Sequence, residues 1–292
     1  MRKLKKIVAI LAAAALSVTL FAGCSNNGGS TGGDTQAVKM INIPLTDEQY
    51  AFGVDKDQPE LLEQVNQFIA DIKSDGTLEE ILNKYFEGGT PEAVVSAELD
   101  TSKDQLVVAT NAAFEPFEYT LSTGNEYYGV DMELAKLLAD RLGQELVIQN
   151  MNFDAVCLSV GQHQCDIAMA GLTVSPAREE YVQFSDSYYN ASQVVIVPGD
   201  DTTFDECTTA EDVEAILTGF DASVTIGCQT GTTGQFYVDG DEDLGFDGLT
   251  AQSRGYQSAS LAVQDMMNGN IDYVIVDIAP AQAITDAINA VA

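Results

Sequence analysis

Residues Gln105–Thr110 read QLVVAT, Asp131–Leu142 read DMELAKLLADRL, and Glu145–Gln149 read ELVIQ. The first and last are short runs rich in Val, Leu and Ile, the composition of buried strands. In the stretch between them, Leu134, Leu137, Leu138 and Leu142 recur at spacings of three and four, which puts them on one side of a helix. Gly143 follows at once, and glycine most readily takes the left-handed backbone that ends a helix. Strand, helix and strand in this order make a crossover unit, the building block of a parallel sheet.

The alternation continues outward in both directions. Asp166–Ala170, Gln193–Val197, Val224–Cys228 and Asp272–Val276 are further strand-like runs. Glu60–Lys73 puts Leu61, Leu62, Val65, Phe68, Ile69 and Ile72 on one helical face behind Pro59, and Ser74-Asp75-Gly76 ends it. Thr77 and Glu80 have the spacing of a capping box for a helix carrying Leu78, Ile81, Leu82, Tyr85 and Phe86. Glu211–Leu217, Ala259–Met267 and Ala279–Ala290 are further expected helices, and Pro91–Asp104 reads as a connecting loop. Apolar strands between helices predict an α/β protein with parallel sheets covered on both faces. The 292 residues suggest about two domains, hence at least two such sheets.

The composition, 46% hydrophobic and 20% charged, excludes a mostly disordered chain. Forty-five acidic residues face 13 basic ones, a net charge of −32. Phosphate binding needs clustered Lys and Arg, so nucleic acids and anionic membrane surfaces are poor partners for this charge, and no nucleic acid partner is expected.

Four of the basic residues, Arg2, Lys3, Lys5 and Lys6, precede the apolar run Ile7–Phe21, which is short for a membrane span. The run closes on Leu20-Phe21-Ala22-Gly23-Cys24, similar to a bacterial lipoprotein signal, although the third residue before the Cys is Phe21 where Leu is usual. Residues 1–23 are therefore expected to be an export signal, with Cys24 lipidated and the chain held on the outer face of the cell membrane. Residues 24–37 begin SNNGGSTGGDTQ after the Cys and read as a flexible tether. Export leaves Cys157, Cys165, Cys207 and Cys228 where disulfides persist. Of the three possible pairings, 157–165 with 207–228 joins cysteines close in sequence; four free thiols are the other possibility. There is no C-x-x-C and His163 is the only histidine, so no metal site and no cofactor are expected.

Ligands of open α/β sheets bind beyond the carboxyl ends of the strands. Arg178 closes the run AGLTVSPAR after one expected strand, where a guanidinium can fork onto a carboxylate and Thr173 can add a donor. Gln229-Thr230-Gly231-Thr232-Thr233-Gly234 follows another strand and leads into a helix, a place where backbone N–H groups meet anions. Asp277 ends a third strand and can take an ammonium group or cap the next helix. Asn111 and Phe114 follow a fourth. A carboxylate site, an ammonium site and an aromatic wall together suit a zwitterionic amino acid.

The stretches TNAAFEPFEY, GVDMELAKLLADRLG, FDAV, CDIAMAGLTVSPAR, VQFSDSYY, IGCQTGTTG and NIDYVIVD resemble the polar amino acid-binding proteins of bacterial ABC importers, solute-binding family 3. The resemblance implies a type II periplasmic-binding-protein fold, with two α/β lobes joined by a two-strand hinge and closing on a ligand. The segment Leu45–Phe86 resembles the one that usually ends such proteins, so the order implies a circular permutation. Lobe 1 would then be 46–187, and lobe 2 would be 38–45 with 188–292. By the same resemblance Arg178, Thr173 and the backbone near Thr233 hold the α-carboxylate. Asp277, Gly171 and Thr173 hold the α-ammonium. Phe114 and Phe153 pack on the side chain, and Asn111 and Gln229 read its polar end. The place of Asn111 is often Asp, and its neutral amide favours a glutamine- or cystine-like ligand. The resemblance further implies a non-enzymatic, monomeric carrier that docks on an ABC permease. A cyclohexadienyl or arogenate dehydratase, with Glu115 or Glu118 as acid, and a ligand-sensing lipoprotein are the alternatives.

Overall fold

A computed structural model describes residues 36–291; the expected leader, Cys24 and most of the tether lie outside the described residues. Gln105–Thr110 and Glu145–Asn150 pair in parallel, with Val107 beside Val147 and Val108 beside Ile148. The helix between them spans Val130–Leu142 and buries Leu134 and Leu138, and Gly143 caps it at φ +72°. The sequence-predicted crossover unit is thus present.

Two five-stranded sheets organise the described residues. The first has the order Val182–Phe184, Gly53–Asp55, Ile167–Ala168, Gln105–Thr110, Glu145–Asn150. The second has the order Val38–Ile41, Gln193–Pro198, Tyr273–Asp277, Thr225–Gln229, Gln252–Tyr256. Both are mixed rather than parallel throughout: Gly53–Asp55 and Gln193–Pro198 run antiparallel to both their neighbours. Gly53–Asp55 has three residues, too few to show a period, and the six-residue Gln193–Pro198 shows its strand character but not its direction. Gly53 hides its strand further, because a β-carbon there would lie 2.9 Å from Val182 Cγ2.

The chain passes between the two sheets twice, after Ile41 and after Phe184. The two passages lie side by side, because Glu48–Tyr50 pairs antiparallel with Tyr189–Ala191. The helices fall close to expectation, at Pro59–Ser74, Thr77–Phe86, Ala210–Gly219, Ala259–Met267 and Ile278–Asn289. Helix Phe153–Gly161 starts at the FDAV stretch.

Three local expectations are corrected. Thr77 is the first helical residue, not the cap: left-handed Gly76 holds that position, and the Thr77 N–H donates to Asp75 Oδ1 (2.9 Å). The capping box forms instead at Thr209 and Asp212. The Pro91–Asp104 loop contributes Val94–Val95 as a short strand against Glu126–Tyr127, and Ser96 Oγ accepts from the Ile148 N–H (2.8 Å). The four cysteines are free thiols, so neither expected disulfide is present. Cys228 is buried with its thiol toward the Gly234 carbonyl, while Cys207 lies half-exposed at the turn after Phe204. Among the described residues no helix is long and apolar enough to cross a membrane.

Candidate ligand-binding site

The carboxyl ends of five strands carry the expected site residues, three in the first sheet, where Glu145–Asn150 leads to Phe153, and two in the second. In the first sheet, Gln105–Thr110 ends at Asn111, and Ile167–Ala168 leads to Gly171 and Thr173. In the second, Thr225–Gln229 turns into helix Thr233–Asp239, and Tyr273–Asp277 ends on the aspartate itself.

Arg178 sits on the single turn Pro176–Glu179, whose start is fixed by the Ser175 side chain accepting from the Arg178 N–H. Its guanidinium is buried and lies 5.2 Å from the centre of the Phe153 ring. Nη1 donates to the Thr173 carbonyl (2.6 Å), and Nη2 donates to the Gly231 carbonyl (3.1 Å) on the loop of the other sheet. A second link between the sheets is made by Gln229, whose Nε2 donates to Asn111 Oδ1 (2.8 Å), while Asn111 Nδ2 donates to the Met151 carbonyl (2.7 Å). Asp277 stands at the helix N-cap position but caps nothing with its side chain; Oδ1 accepts from the Tyr50 hydroxyl instead (2.5 Å).

Gly171 takes φ +54°, and its N–H donates to Asp131 Oδ2 (2.9 Å). A β-carbon there would meet Phe114 Cε1 at 2.9 Å, so glycine lets the aromatic wall approach the backbone. Thr173 and Thr233 are buried and line one cavity of about 440 Å³ with Glu48. Arg178 with Phe153, Asn111 with Gln229, and Gly171 with Phe114 are therefore brought into contact.

The profile of the bacterial extracellular solute-binding proteins, family 3, matches residues 4–88 and 106–289. The chain belongs to that family. It is similar to the arginine-binding extracellular protein ArtP of Bacillus subtilis, at 36% identity over 33% of this chain and 37% of that protein. It is also similar to ABC transporter arginine-binding protein 1 of Escherichia coli, at 31% identity over 61% of this chain and 65% of that one. The chain thus spans less than two thirds of the length of these relatives. Among solved structures it resembles holo ArgBP from T. maritima, with a TM-score of 0.51 and 33% identity over 63% of this chain and 74% of that one. The fold is the α/β fold of these binding proteins.

In this solute-binding protein the burial of several acids near the candidate site escapes a reading of sequence alone. Glu48 is buried and accepts from Thr173 Oγ1 (2.6 Å), Thr46 Oγ1 (2.6 Å) and Gln193 Nε2 (2.9 Å). Asp131 is buried in the first helical turn after Gly129 and accepts from the Tyr188 hydroxyl (2.6 Å). Glu118 is fully buried with neither carboxyl oxygen bonded. Burial pushes Asp131 up to about 7, against the pull of its bonds to Tyr188 and Gly171. Asp277 is also pushed up to about 7, by burial and by the charge of Glu48. Burial, then Asp131 and Asp277, push Glu118 well above the usual carboxylate range. Their sequence signals are slight: an acid in a helix first turn, and the lone polar residue of Phe117-Glu118-Tyr119.

Proposed function

We propose that this protein is an exported substrate-binding lipoprotein of an ABC importer, which captures a polar amino acid and delivers it to a permease. The observation that carries the proposal is the placement of a buried guanidinium, Arg178, and a buried carboxyl, Asp277, on strand-end loops of different sheets. Arg178 takes the α-carboxylate with Thr173 and Thr233, and Asp277 takes the α-ammonium with Gly171 and Thr173. Phe114 and Phe153 flank the side chain. The protein–protein bonds of Arg178, Asn111, Gln229 and Asp277 are exchanged for ligand bonds. Residues 46–187 act as one lobe and 38–45 with 188–292 as the other. The paired passages at Glu48–Tyr50 and Tyr189–Ala191 form the hinge. The early placement of the segment containing Gly53–Asp55, a strand inside the first sheet, supports the circular permutation. The chain is held at the cell surface through lipidated Cys24.

For the ligand side chain, Asn111 alone favours a neutral group such as glutamine or cystine. The buried acids weigh the other way. Glu48, which accepts from Thr173, and Asp277, which the charge of Glu48 raises, outnumber the one buried arginine, so a zwitterion leaves an excess carboxyl that a cationic side chain offsets. Arginine is therefore the proposed ligand, in keeping with the ligand in the names of both relatives. Thermal melts of the exported chain with each of the amino acids and cystine test this. A ligand at 1,000 times its dissociation constant adds about 4 kcal/mol of stability. The largest shift is expected with arginine. A larger shift with glutamine or cystine restores the neutral ligand, and no shift with any of them overturns amino acid binding.

A further inference from the structure

The only histidine of the chain lies away from the ligand loops, at the far end of the helix that begins with Phe153. His163 takes φ +57°, the left-handed backbone for which the helix Val130–Leu142 uses Gly143. A β-carbon in that region is costly. Its ring lies between two carboxylates of the first sheet's Gly53–Asp55 strand and the turn after it. Nδ1 is 2.7 Å from Asp55 Oδ2, and Nε2 is 3.6 Å from Asp57 Oδ2. One ring nitrogen and one oxygen from each aspartate lie within 4.8 Å of one another.

Ligand atoms about 2.1 Å from one ion are separated by roughly 3 to 4.2 Å, so small side-chain rotations would bring these three onto it. The donors differ in mobility. Asp55 is buried and pinned, its Oδ1 accepting from the Asp57 N–H (2.9 Å). Asp57 and His163 are exposed and free to adjust. Because Asp57 and His163 are exposed, an ion reaches the three donors directly from solvent and keeps room for its waters.

We propose that Asp55, Asp57 and His163 form a binding site for a divalent transition-metal ion of the zinc class. An imidazole with two carboxylates suits zinc and its neighbours, whereas calcium and magnesium prefer oxygen donors alone. The ion would tie the strand that follows Tyr50 to the helix that carries Phe153, outside the amino acid site.

The probe is Zn²⁺ alone, titrated calorimetrically into the full exported chain at pH 7.5, with bound metal counted by elemental analysis after dialysis. A chain this acidic also gathers metal loosely, so the variants decide. The expected result is one tight equivalent of zinc. It is lost in His163→Gln and weakened at least tenfold in Asp57→Asn, and it persists in Glu242→Gln, a control in the acidic run Asp241-Glu242-Asp243. Circular dichroism and the amino acid melting shift check that His163→Gln is folded and its ligand site intact. An equivalent that survives in folded His163→Gln overturns the site, as does wild-type protein with no equivalent held at 100 µM zinc.

Discussion

Of the three arginines among the described residues, Arg178 alone is buried, and it spends two of its donors on backbone carbonyls rather than on an acid. A guanidinium so placed keeps its charge available for an incoming carboxylate. Arg178→Ala is expected to weaken amino acid binding at least ~30-fold by calorimetry, because truncating one partner of a buried charge pair costs about 2–5 kcal/mol. Asp277 supplies the pH dependence. Its pKa stands near 7 against an ordinary 3.8, so the folded protein binds this proton more tightly than the unfolded chain does. Its contribution to stability is fully present at low pH and is lost as pH rises from about 4 to about 7. Melting temperatures of the ligand-free protein should therefore fall between pH 5 and 8, and less so in Asp277→Asn. A ligand ammonium favours the carboxylate, so binding below pH 7 should release a proton. Calorimetry in buffers of different ionisation enthalpy reads that proton, and Asp277→Asn should abolish it.

At the scale of elements, Thr209 closes a capping box with Asp212 at the start of helix Ala210–Gly219. Thr209→Ala is expected to cost about 1 kcal/mol and lower the melting temperature by a few degrees without changing ligand affinity. Four buried or half-buried thiols predict that reductant leaves the melting temperature unchanged. The helices are legible in the sequence because a 3.6-residue period repeats several times along each; Ala259–Met267 falls on its expected bounds. Short strands are not. Gly53–Asp55 and Val182–Phe184 carry three residues each, and Gln252–Tyr256 is polar along its length, so none shows an alternating pattern. Gly53–Asp55 is the missed strand that turns the expected parallel first sheet into a mixed one. The candidate site divides in the same way. Arg178, Asp277, Gly171 and Thr173 are legible because each follows a recognisable strand. The burial of Glu48, Glu118 and Asp131 is not legible, since it is set by the ribbon, by the pairing of Ala113–Phe114 with Glu118–Tyr119 and by the helix Val130–Leu142 rather than by local sequence.

Over the whole molecule, the two sheets are joined by one antiparallel ribbon and by side-chain bonds between strand-end loops. Such an arrangement lets a ligand that bonds to both sets of loops favour the closed state by its differential affinity. The central claim is that one small zwitterion is gripped at its carboxylate by Arg178 and at its ammonium by Asp277. Calorimetry with L-arginine and with agmatine, which lacks only the carboxylate, tests this most directly when run on wild type and on Arg178→Ala. The account predicts that L-arginine binds wild type at least ~30-fold more tightly than agmatine does, and that the preference collapses in Arg178→Ala. Equal binding of the two ligands by wild type, or a preference that survives in Arg178→Ala, would contradict it.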